Sequence, residues 1–418
     1  MRIAISNPDN IGDFILRQPL LAALLEAGHE LLLITRDFVA PLAGDMFPAV
    51  TVLQCVGNPY DRNFHFDSPL GKRFLESVIS FAPDIFVVAA YQHTQLEERL
   101  AAELPHADCI GFQGHLFQSR PEVTAVSTIR FATQVAVAAE SREVEKNELL
   151  CAAILGNNRP LPAPRMTAHA DGLTAAESRL AQLGLAGEMY WAVCAGDIAA
   201  KSVKNWEREQ WAEFCRELLA QQNVHLLFIG SPDEHESTLA IQERMGEAGR
   251  RTATITGEPT SLRTLTGILA RAEGYIGKDT GPMHIAAALG KPVLSIFGGG
   301  HWPRFTPSAR TGASFTVRVP CTGCNWDCHL SRSHCVKDIP VSTVVNRAEA
   351  MLRGELREFQ VEVVEPEPVL GAAILRELWD AARREHRKLE AERFNFVQWH
   401  EDRLRDIAQL KAELNEAL

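Results

Sequence analysis

The sequence lacks any apolar run that approaches the roughly 20 residues needed to span a bilayer. Its first residues, MRIAISNPDNIGD, also lack the extended apolar stretch and the cleavage site of a secretory signal. From these two absences we expect a cytoplasmic protein without a membrane-spanning segment.

Positive charge is in deficit, because 42 Lys and Arg residues stand against 53 Asp and Glu, which gives a net charge of −11. A general polyanion binder needs a basic surface, so no nucleic-acid partner is expected. The total does not exclude a small basic pocket for one phosphate group. The 418 residues, 46% apolar and 23% charged, are typical of a globular chain with two or three domains.

The nine cysteines lack the even count of a secreted disulfide framework, and five of them are scattered singly. The others, Cys321, Cys324, Cys328 and Cys335, have the spacing C-x2-C-x3-C-x6-C. Four thiolates can complete a tetrahedral shell around zinc or iron, and a closed shell favours a structural role over a catalytic one. The alternatives are a reduced, partly buried cluster or local disulfides.

Strand-like and helix-like segments alternate in two separate series, which predicts an α/β protein with two doubly wound domains that face each other across a cleft. We expect the domains over 1–165 and 185–354. The loop-rich stretch Gly156–Thr167 is either the linker between them or a surface loop inside one domain. The predicted strands are Arg2–Ser6, His29–Thr35, Thr51–Cys55, Ile85–Ala90, Met189–Cys194, Val224–Ile229, Thr252–Thr256, Gly274–Gly277 and Pro292–Phe297.

The last part of the chain differs from both series. Residues 355–368 carry five acids and two prolines and are predicted to be an exposed connector. From Gly371 to Leu418 there is no further Pro or Gly, and apolar residues recur at helical spacing. This predicts amphipathic helices that either pack back on the body or form a homo-oligomer through coiled-coil contacts.

The segment Gly274–Gly300 carries the most specific chemistry. A strand ends at Lys278, Asp279-Thr280-Gly281 makes a turn, and Pro282 suits the first position of a helix that contains His284. The N–H groups and the positive dipole end of such a helix suit a diphosphate. A plain strand–turn–helix is the alternative interpretation.

The stretch DTGPMHIAAALGKPVLSIFG, at 279–298, resembles the signature of glycosyltransferase family 9, the heptosyltransferases. The resemblance covers roughly residues 1–350 and implies the GT-B fold, two Rossmann-like domains with a nucleotide sugar bound mainly by the C-terminal one. The implied reaction is transfer of a heptose from ADP-heptose, with inversion, to a hydroxyl of a glycan, lipopolysaccharide core or protein. It implies no catalytic metal.

The resemblance also assigns roles to the residues that match the family's motifs. In IGDFILRQPLLAAL, at 11–24, Asp13 would be the general base, although a helix cap is the alternative; we expect the helix dipole to keep it ionised. Lys204, in Lys204-Asn205-Trp206, would contact the sugar diphosphate, with Lys201 as a competitor. Glu234, in FIGSPDEHE, would contact the ribose.

The signature itself supplies the rest of the implied donor site. Asp279 would bind the sugar hydroxyls, and the helix end that holds the diphosphate comprises Thr280, Gly281, Pro282, Met283 and His284. The segment 257–262, GEPTSL, would lie beside the adenine, and His301, Trp302 and Arg304 are candidates for the cleft wall.

A subgroup of this family that glycosylates autotransporter proteins is similar in carrying a four-cysteine iron site. Two alternatives of other classes stay open. One is a hydrolysing sugar-nucleotide epimerase of the same architecture, and the other is a non-catalytic assembly protein built on the cysteine cluster and the helical tail.

Overall fold

The computed structural model describes residues 1–61, 64–112, 115–116, 127–138, 141–198, 203–324, 326, 328, 330–388 and 390. Two parallel sheets, of six and seven strands, form two Rossmann-like domains. This confirms the predicted α/β class and the GT-B arrangement. Within the described ranges, no helix combines the length and the apolar character needed to cross a membrane.

The N-terminal sheet has the strand order β3-β2-β1-β4-β6-β8, and β5 pairs with β7 in a separate small sheet. Its elements are β1 (Arg2–Ser6), α1 (Ile11–Glu26), β2 (Glu30–Thr35), α2 (Ala40–Met46), β3 (Thr51–Gln54), α3 (Pro69–Phe81), β4 (Ile85–Val88), β5 (Gln92–His93), α4 (Gln95–Glu103), β6 (Asp108–Phe112), β7 (His115–Leu116), β8 (Thr133–Val135) and α5 (Glu143–Leu155).

The C-terminal sheet has the order β11-β10-β9-β12-β13-β14-β15. Its elements are α6 (Ala170–Gln182), β9 (Tyr190–Cys194), α7 (Arg208–Gln221), β10 (His225–Phe228), α8 (His235–Arg244), β11 (Thr252–Thr254), α9 (Leu262–Arg271), β12 (Gly274–Lys278), α10 (Gly281–Ala288), β13 (Val293–Ile296), β14 (Gly312–Val317), α11 (His334–Lys337), α12 (Val341–Leu352) and β15 (Phe359–Val364).

The central strands are buried on both faces, which explains why they are continuous apolar runs in the sequence. All of β9 (YWAVC), all of β4 (IFVV) and four of the five residues of β1 are buried. Every strand predicted from the sequence is present, with ends that differ by one or two residues. The parallel pairing brings the carboxyl ends of the strands to one edge in each domain, where the loops face the cleft.

The structure corrects the prediction that residues 355–368 form only a connector. Residues 359–364 are β15, which pairs in parallel with β14 along its whole length. The strand lies at the sheet edge, where Glu362 can carry its charge to the surface and pair with Arg347.

Helix α6 falls between the two predicted domain ranges and packs against α9 of the C-terminal domain. The two helices are so close that a Cβ at Gly172 would lie 2.4 Å from the Arg263 carbonyl oxygen.

The C-terminal tail is helical over 368–388, so the helix begins three residues before the predicted Gly371. Ile374 is 2% exposed, and Leu370 and Leu378 pack with it against three cysteines of the cluster. This part of the tail therefore packs on the body of the protein, which was one of the two predicted alternatives; the other was coiled-coil self-association. The rest of the predicted tail, 391–418, lies outside the described residues.

Candidate active site

The N-termini of α1 and α10 meet where the two domains face each other. A Cβ at Gly12 would lie 2.6 Å from His284 Cδ2, and a Cβ at Gly281 would lie 3.3 Å from Ile11 Cβ. A side chain at Gly12 would therefore collide with His284, and one at Gly281 would be tightly packed, because the two helix ends approach so closely. Two positive dipole ends therefore point into one cleft, whose cavity measures about 700 Å³.

The end of α10 in this cleft is built as the sequence predicts. Thr280 precedes the helix in an extended conformation, and Pro282 occupies the first turn. In the described part of the chain the Thr280 side chain makes no capping hydrogen bond to the helix. Its hydroxyl instead donates to the Lys278 carbonyl oxygen at 3.3 Å. The first turn is thus available to an anionic ligand.

Lys204 and Asp279 form the polar centre of the C-terminal wall. Lys204 Nζ donates to Asp279 Oδ2 at 2.8 Å and to the Asp279 carbonyl oxygen at 3.1 Å. Both side chains are nearly buried, at 13% and 8% exposed. The pair lies beside the N-terminus of α10, so the ammonium group faces the same cavity as the helix end.

Asp13 lies on the opposite, N-terminal wall of the same cavity. Its Oδ2 accepts a hydrogen bond from the Asn10 N–H at 3.2 Å, so this carboxylate also caps α1. Burial, together with the charges of Asp9 and Glu143, raises the pKa of Asp13 to about 8, while Arg304 and Arg17 oppose the rise. The expectation that Asp13 stays ionised is therefore wrong, because burial and two neighbouring carboxyls shift it toward the protonated state.

A second carboxyl stands close to Asp13. Asp9 lines the same cavity and accepts a hydrogen bond from the Tyr60 hydroxyl. Burial is the main cause of a raised pKa at Asp9 as well, opposed by the Tyr60 hydrogen bond and the nearby Arg17. Two interacting carboxyls lose their protons as a pair, and here both are held toward the protonated state.

A buried charge cluster supports this wall from behind. Glu143, 2% exposed, pairs with Arg17 at 3.2 Å and with Lys146 at 2.8 Å, and it also accepts from Arg304 Nε. Burial alone would raise the pKa of Glu143, but Arg304, Arg17 and Lys146 lower it to about 2. Because Arg304 comes from the C-terminal domain, its pair with Glu143 joins the two domains beside Asp13.

A second cavity, of about 690 Å³, adjoins the first and shares Thr280 and Pro282 with it. Glu234 lies in its wall, as do Thr260, Ser261 and Leu262 of the segment expected beside the adenine. The cavity has the volume of a small-molecule site.

Glu234 is held in place by two residues. Its Oε1 pairs with the fully buried Lys278 Nζ at 2.6 Å, and its Oε2 accepts from the Ser231 N–H at 2.7 Å. Oε2 also accepts from the Ser231 hydroxyl at 3.0 Å, which uses both of its lone-pair directions. Among the described residues Oε1 accepts from Lys278, so its second lone-pair direction can accept from a ligand.

The structure brings together most of the predicted site residues, with Met283 as the exception. Its side chain is fully buried in the hydrophobic core, so Met283 could belong to the predicted diphosphate-binding helix end only through its backbone. His284 is 3% exposed and lines the cleft; burial lowers its pKa to about 4, so the imidazole is neutral. Lys201 lies outside the described residues.

Several residues of the site gave no motif in the sequence. These are Asp9, Arg17, Glu143, Lys146, Lys278 and Trp326. Lys278 was visible only as a cation at the end of an apolar strand, a place where an unpaired charge would be costly. Such a position signals a buried partner, which here is Glu234.

The four cysteines of the cluster line one small cavity. Burial raises the pKa of Cys335 to about 11, and it also raises the pKa of Cys321. Among the described residues, no three His, Cys, Asp or Glu side chains are arranged to hold a metal ion. The donor set suits a thiolate-bound metal, but the thiols do not close on one point.

Comparison with known proteins places these features in a family. Residues 100–328, more than half of the chain, match glycosyltransferase family 9 (heptosyltransferase). The lipopolysaccharide core heptosyltransferase OpsX of Haemophilus influenzae is 30% identical over 99 residues, which are 24% of this chain and 28% of that protein. The lipooligosaccharide heptosyltransferase 2 of Campylobacter jejuni is 23% identical over 154 residues, 36% of this chain and 48% of that protein. The chain thus aligns with less than half the length of these relatives.

Solved structures agree on the fold. The ADP-heptose lipopolysaccharide heptosyltransferase II of Escherichia coli has a TM-score of 0.62 at 18% identity, covering 85% of this chain and 99% of that one. A family 9 glycosyl transferase from Veillonella parvula has a TM-score of 0.64 at 18% identity, covering 84% and 97%. With both domains, the cleft and the family match in agreement, the chain belongs to glycosyltransferase family 9, the heptosyltransferases.

Proposed function

We propose that this protein is an inverting glycosyltransferase that moves a heptose or a related sugar from an ADP-sugar to a hydroxyl acceptor. One observation carries the proposal: a single cavity holds a carboxyl from the N-terminal domain opposite a lysine and a helix N-terminus from the C-terminal domain. A proton acceptor facing a diphosphate-binding end is the arrangement that transfer of a sugar to a hydroxyl requires. Two similar proteins are named as heptosyltransferases of lipopolysaccharide core and of lipooligosaccharide, which supports heptose as the transferred sugar.

The donor would span the two adjoining cavities. Its nucleoside fits the cavity lined by Glu234 and Ser261, and its diphosphate fits the shared wall at Thr280. There the α10 N-terminus and Lys204 would stabilise the negative charge that grows on the leaving ADP. Asp279 would accept hydrogen bonds from the sugar hydroxyls.

The acceptor would enter from the N-terminal side. Asp13 would take the proton of its hydroxyl, the oxygen would form a bond to the anomeric carbon, and the bond from that carbon to ADP would break. The base comes from one domain and the diphosphate site from the other, so the hydroxyl would attack the face opposite the leaving group, which would invert the configuration.

The charges around Asp13 set its proton affinity. Because its pKa is raised to about 8, Asp13 favours the protonated form at neutral pH. Arg304 and Arg17 both lower that pKa. Because Arg304 belongs to the C-terminal domain, contact between the two domains places its guanidinium near Asp13. There it favours the ionised carboxylate, which is the form that can accept a proton.

The direct test is a product assay with ADP-heptose and candidate acceptors. We expect ADP release that depends on the acceptor, with an acceptor mass increased by one heptose residue. Lipopolysaccharide core is the first acceptor to try, followed by other glycans and proteins. A protein that instead isomerised and hydrolysed a nucleotide sugar with no acceptor present would be the epimerase, and one that turned over no donor would be an assembly protein.

We also propose that the four-cysteine cluster holds a structural iron or zinc ion when the metal is supplied. The support is the shared cavity and the soft donor set of Cys321, Cys324, Cys328 and Cys335. A metal there would crosslink the segment and leave no open position for chemistry. Self-association through the C-terminal helices stays a prediction.

Metal analysis of protein purified without oxygen tests the cluster. We expect about one equivalent of iron or zinc per chain, since four thiolates satisfy one tetrahedral ion. The variant Cys324→Ser should lose most of the metal, whereas Cys215→Ser, at a buried cysteine far along the chain, should retain it. Absence of metal from the anaerobic protein would refute the site.

A further inference from the structure

Trp326 lies inside the cysteine cluster, between Cys324 and Cys328, yet its ring reaches the active-site cleft. It lines both the small cavity of the thiols and the large cavity that holds Lys204 and Asp279. Its backbone has a φ of 68°, in the left-handed region that a bulky residue rarely adopts. A conformation of this kind persists only where the surroundings hold it, so the direction of the ring needs an explanation.

The ring is held on two sides. Its indole N–H donates to His301 Nδ1 at 3.3 Å, and the two rings lie 5.3 Å apart. On the other side it rests on the glycine loop that follows β13: a Cβ at Gly300 would lie 2.4 Å from the ring, and a Cβ at Gly298 would lie 3.0 Å from it. These glycines therefore make room for this indole.

The exposed face of the ring meets Lys204, whose Nζ lies 4.0 Å from the ring centroid. The same ammonium group donates to the Asp279 carboxylate at 2.8 Å. A free lysine side chain has many rotamers, and ordering one has an entropic cost. Here the aromatic face and the carboxylate together restrict Lys204 before any ligand arrives.

We propose that Trp326 is a positioning residue for Lys204, and that the cysteine cluster contributes to the donor site by presenting this ring. The inference rests on the proposed donor site for its consequence, because the lysine would be held where the diphosphate binds. The cluster itself takes no part in the reaction; it acts through the orientation of one indole.

The contact between Trp326 and Lys204 can be tested without any nucleotide. In protein labelled with 5-fluorotryptophan, the variant Trp326→Phe identifies the ¹⁹F resonance of position 326. We expect Lys204→Met to shift that resonance, whereas Lys72→Met, at an exposed lysine on α3, leaves it in place. An unshifted resonance in Lys204→Met would overturn the inference, whatever the protein's substrate.

The consequence for the donor site is tested with ADP and adenosine as calorimetric probes. We expect Trp326→Ala to weaken ADP binding about tenfold and to leave adenosine binding unchanged, because only ADP reaches the lysine. Trp326→Phe should restore most of the affinity, and Trp379→Ala, at an exposed tryptophan of the tail, should match the parent protein.

Equal losses for ADP and adenosine in Trp326→Ala would mean that the ring only maintains the fold, and the inference would be wrong. It would also be wrong if Trp326→Phe were as impaired as Trp326→Ala. If the parent protein bound neither ADP nor adenosine, the proposed function would be wrong, and so would the proposed effect of Trp326 on donor binding. The ¹⁹F result would still decide whether the indole and the lysine are in contact.

Discussion

Replacing Asp13 by Asn should reduce sugar transfer about 10³-fold, within the range for loss of a general base, while ADP-heptose still binds. The amide keeps the shape of the side chain but cannot take the acceptor's proton. The α10 end and Lys204, which would hold the diphosphate, lie on the opposite wall and are unchanged. Single-turnover rates give the transfer step, and calorimetry with ADP-heptose gives the affinity. Retention of most transferase activity in Asp13→Asn would remove Asp13 as the base.

The pH profile gives a second measurement of the same residue. Burial raises the pKa of Asp13 to about 8, and a base acts only in its ionised form. The rate of transfer should therefore rise with pH up to about 8 and then level off. Asp9 raises the pKa of Asp13, so Asp9→Asn should move this rise to lower pH. A profile already flat at pH 6 in the parent protein would contradict the raised pKa.

The strands, the cleft and the α10 end were predictable because each depends on local sequence. Buried parallel strands are continuous apolar runs, and a turn before a helix has its own residue preferences. The strand at 359–364 was missed because it lies at the sheet edge and carries acids, which gives it the composition of a connector.

The electrostatic environment of Asp13 depends instead on residues far apart in the chain. Arg17 and Glu143 are separated by 126 positions, and Glu143 and Arg304 by 161. No local pattern indicates that these three meet, so neither the raised pKa of Asp13 nor the protonated state it favours could be predicted. Trp326 was missed for a similar reason, since its ring contacts a lysine more than a hundred residues earlier.

Replacing Glu143 by Ala should lower the free energy of unfolding by about 3–5 kcal/mol, the usual cost of removing one partner from a buried ion pair. The change would leave Arg17 and Lys146 buried without their carboxylate, and Arg304 would lose its partner across the domain interface. Chemical denaturation measures the difference. Glu145→Ala provides the control, because Glu145 is exposed on the same turn and caps only the Arg142 N–H, a contact worth about 1 kcal/mol. Equal losses in the two variants would contradict the role of the buried cluster.

The same carboxylate makes stability depend on acid, in a direction that can be worked out. Its pKa falls from 4.5 to about 2 in the folded protein. A lowered folded-state pKa contributes stability above the unfolded value, here about 3 kcal/mol, and that contribution is lost as the pH falls from about 4.5 toward 2. Glu143→Gln, which has no proton to gain, should therefore differ most from the parent protein near neutral pH and converge with it in acid. A stability difference between the two that stayed constant from pH 7 to pH 3 would show that Glu143 is not the ionised centre of this cluster.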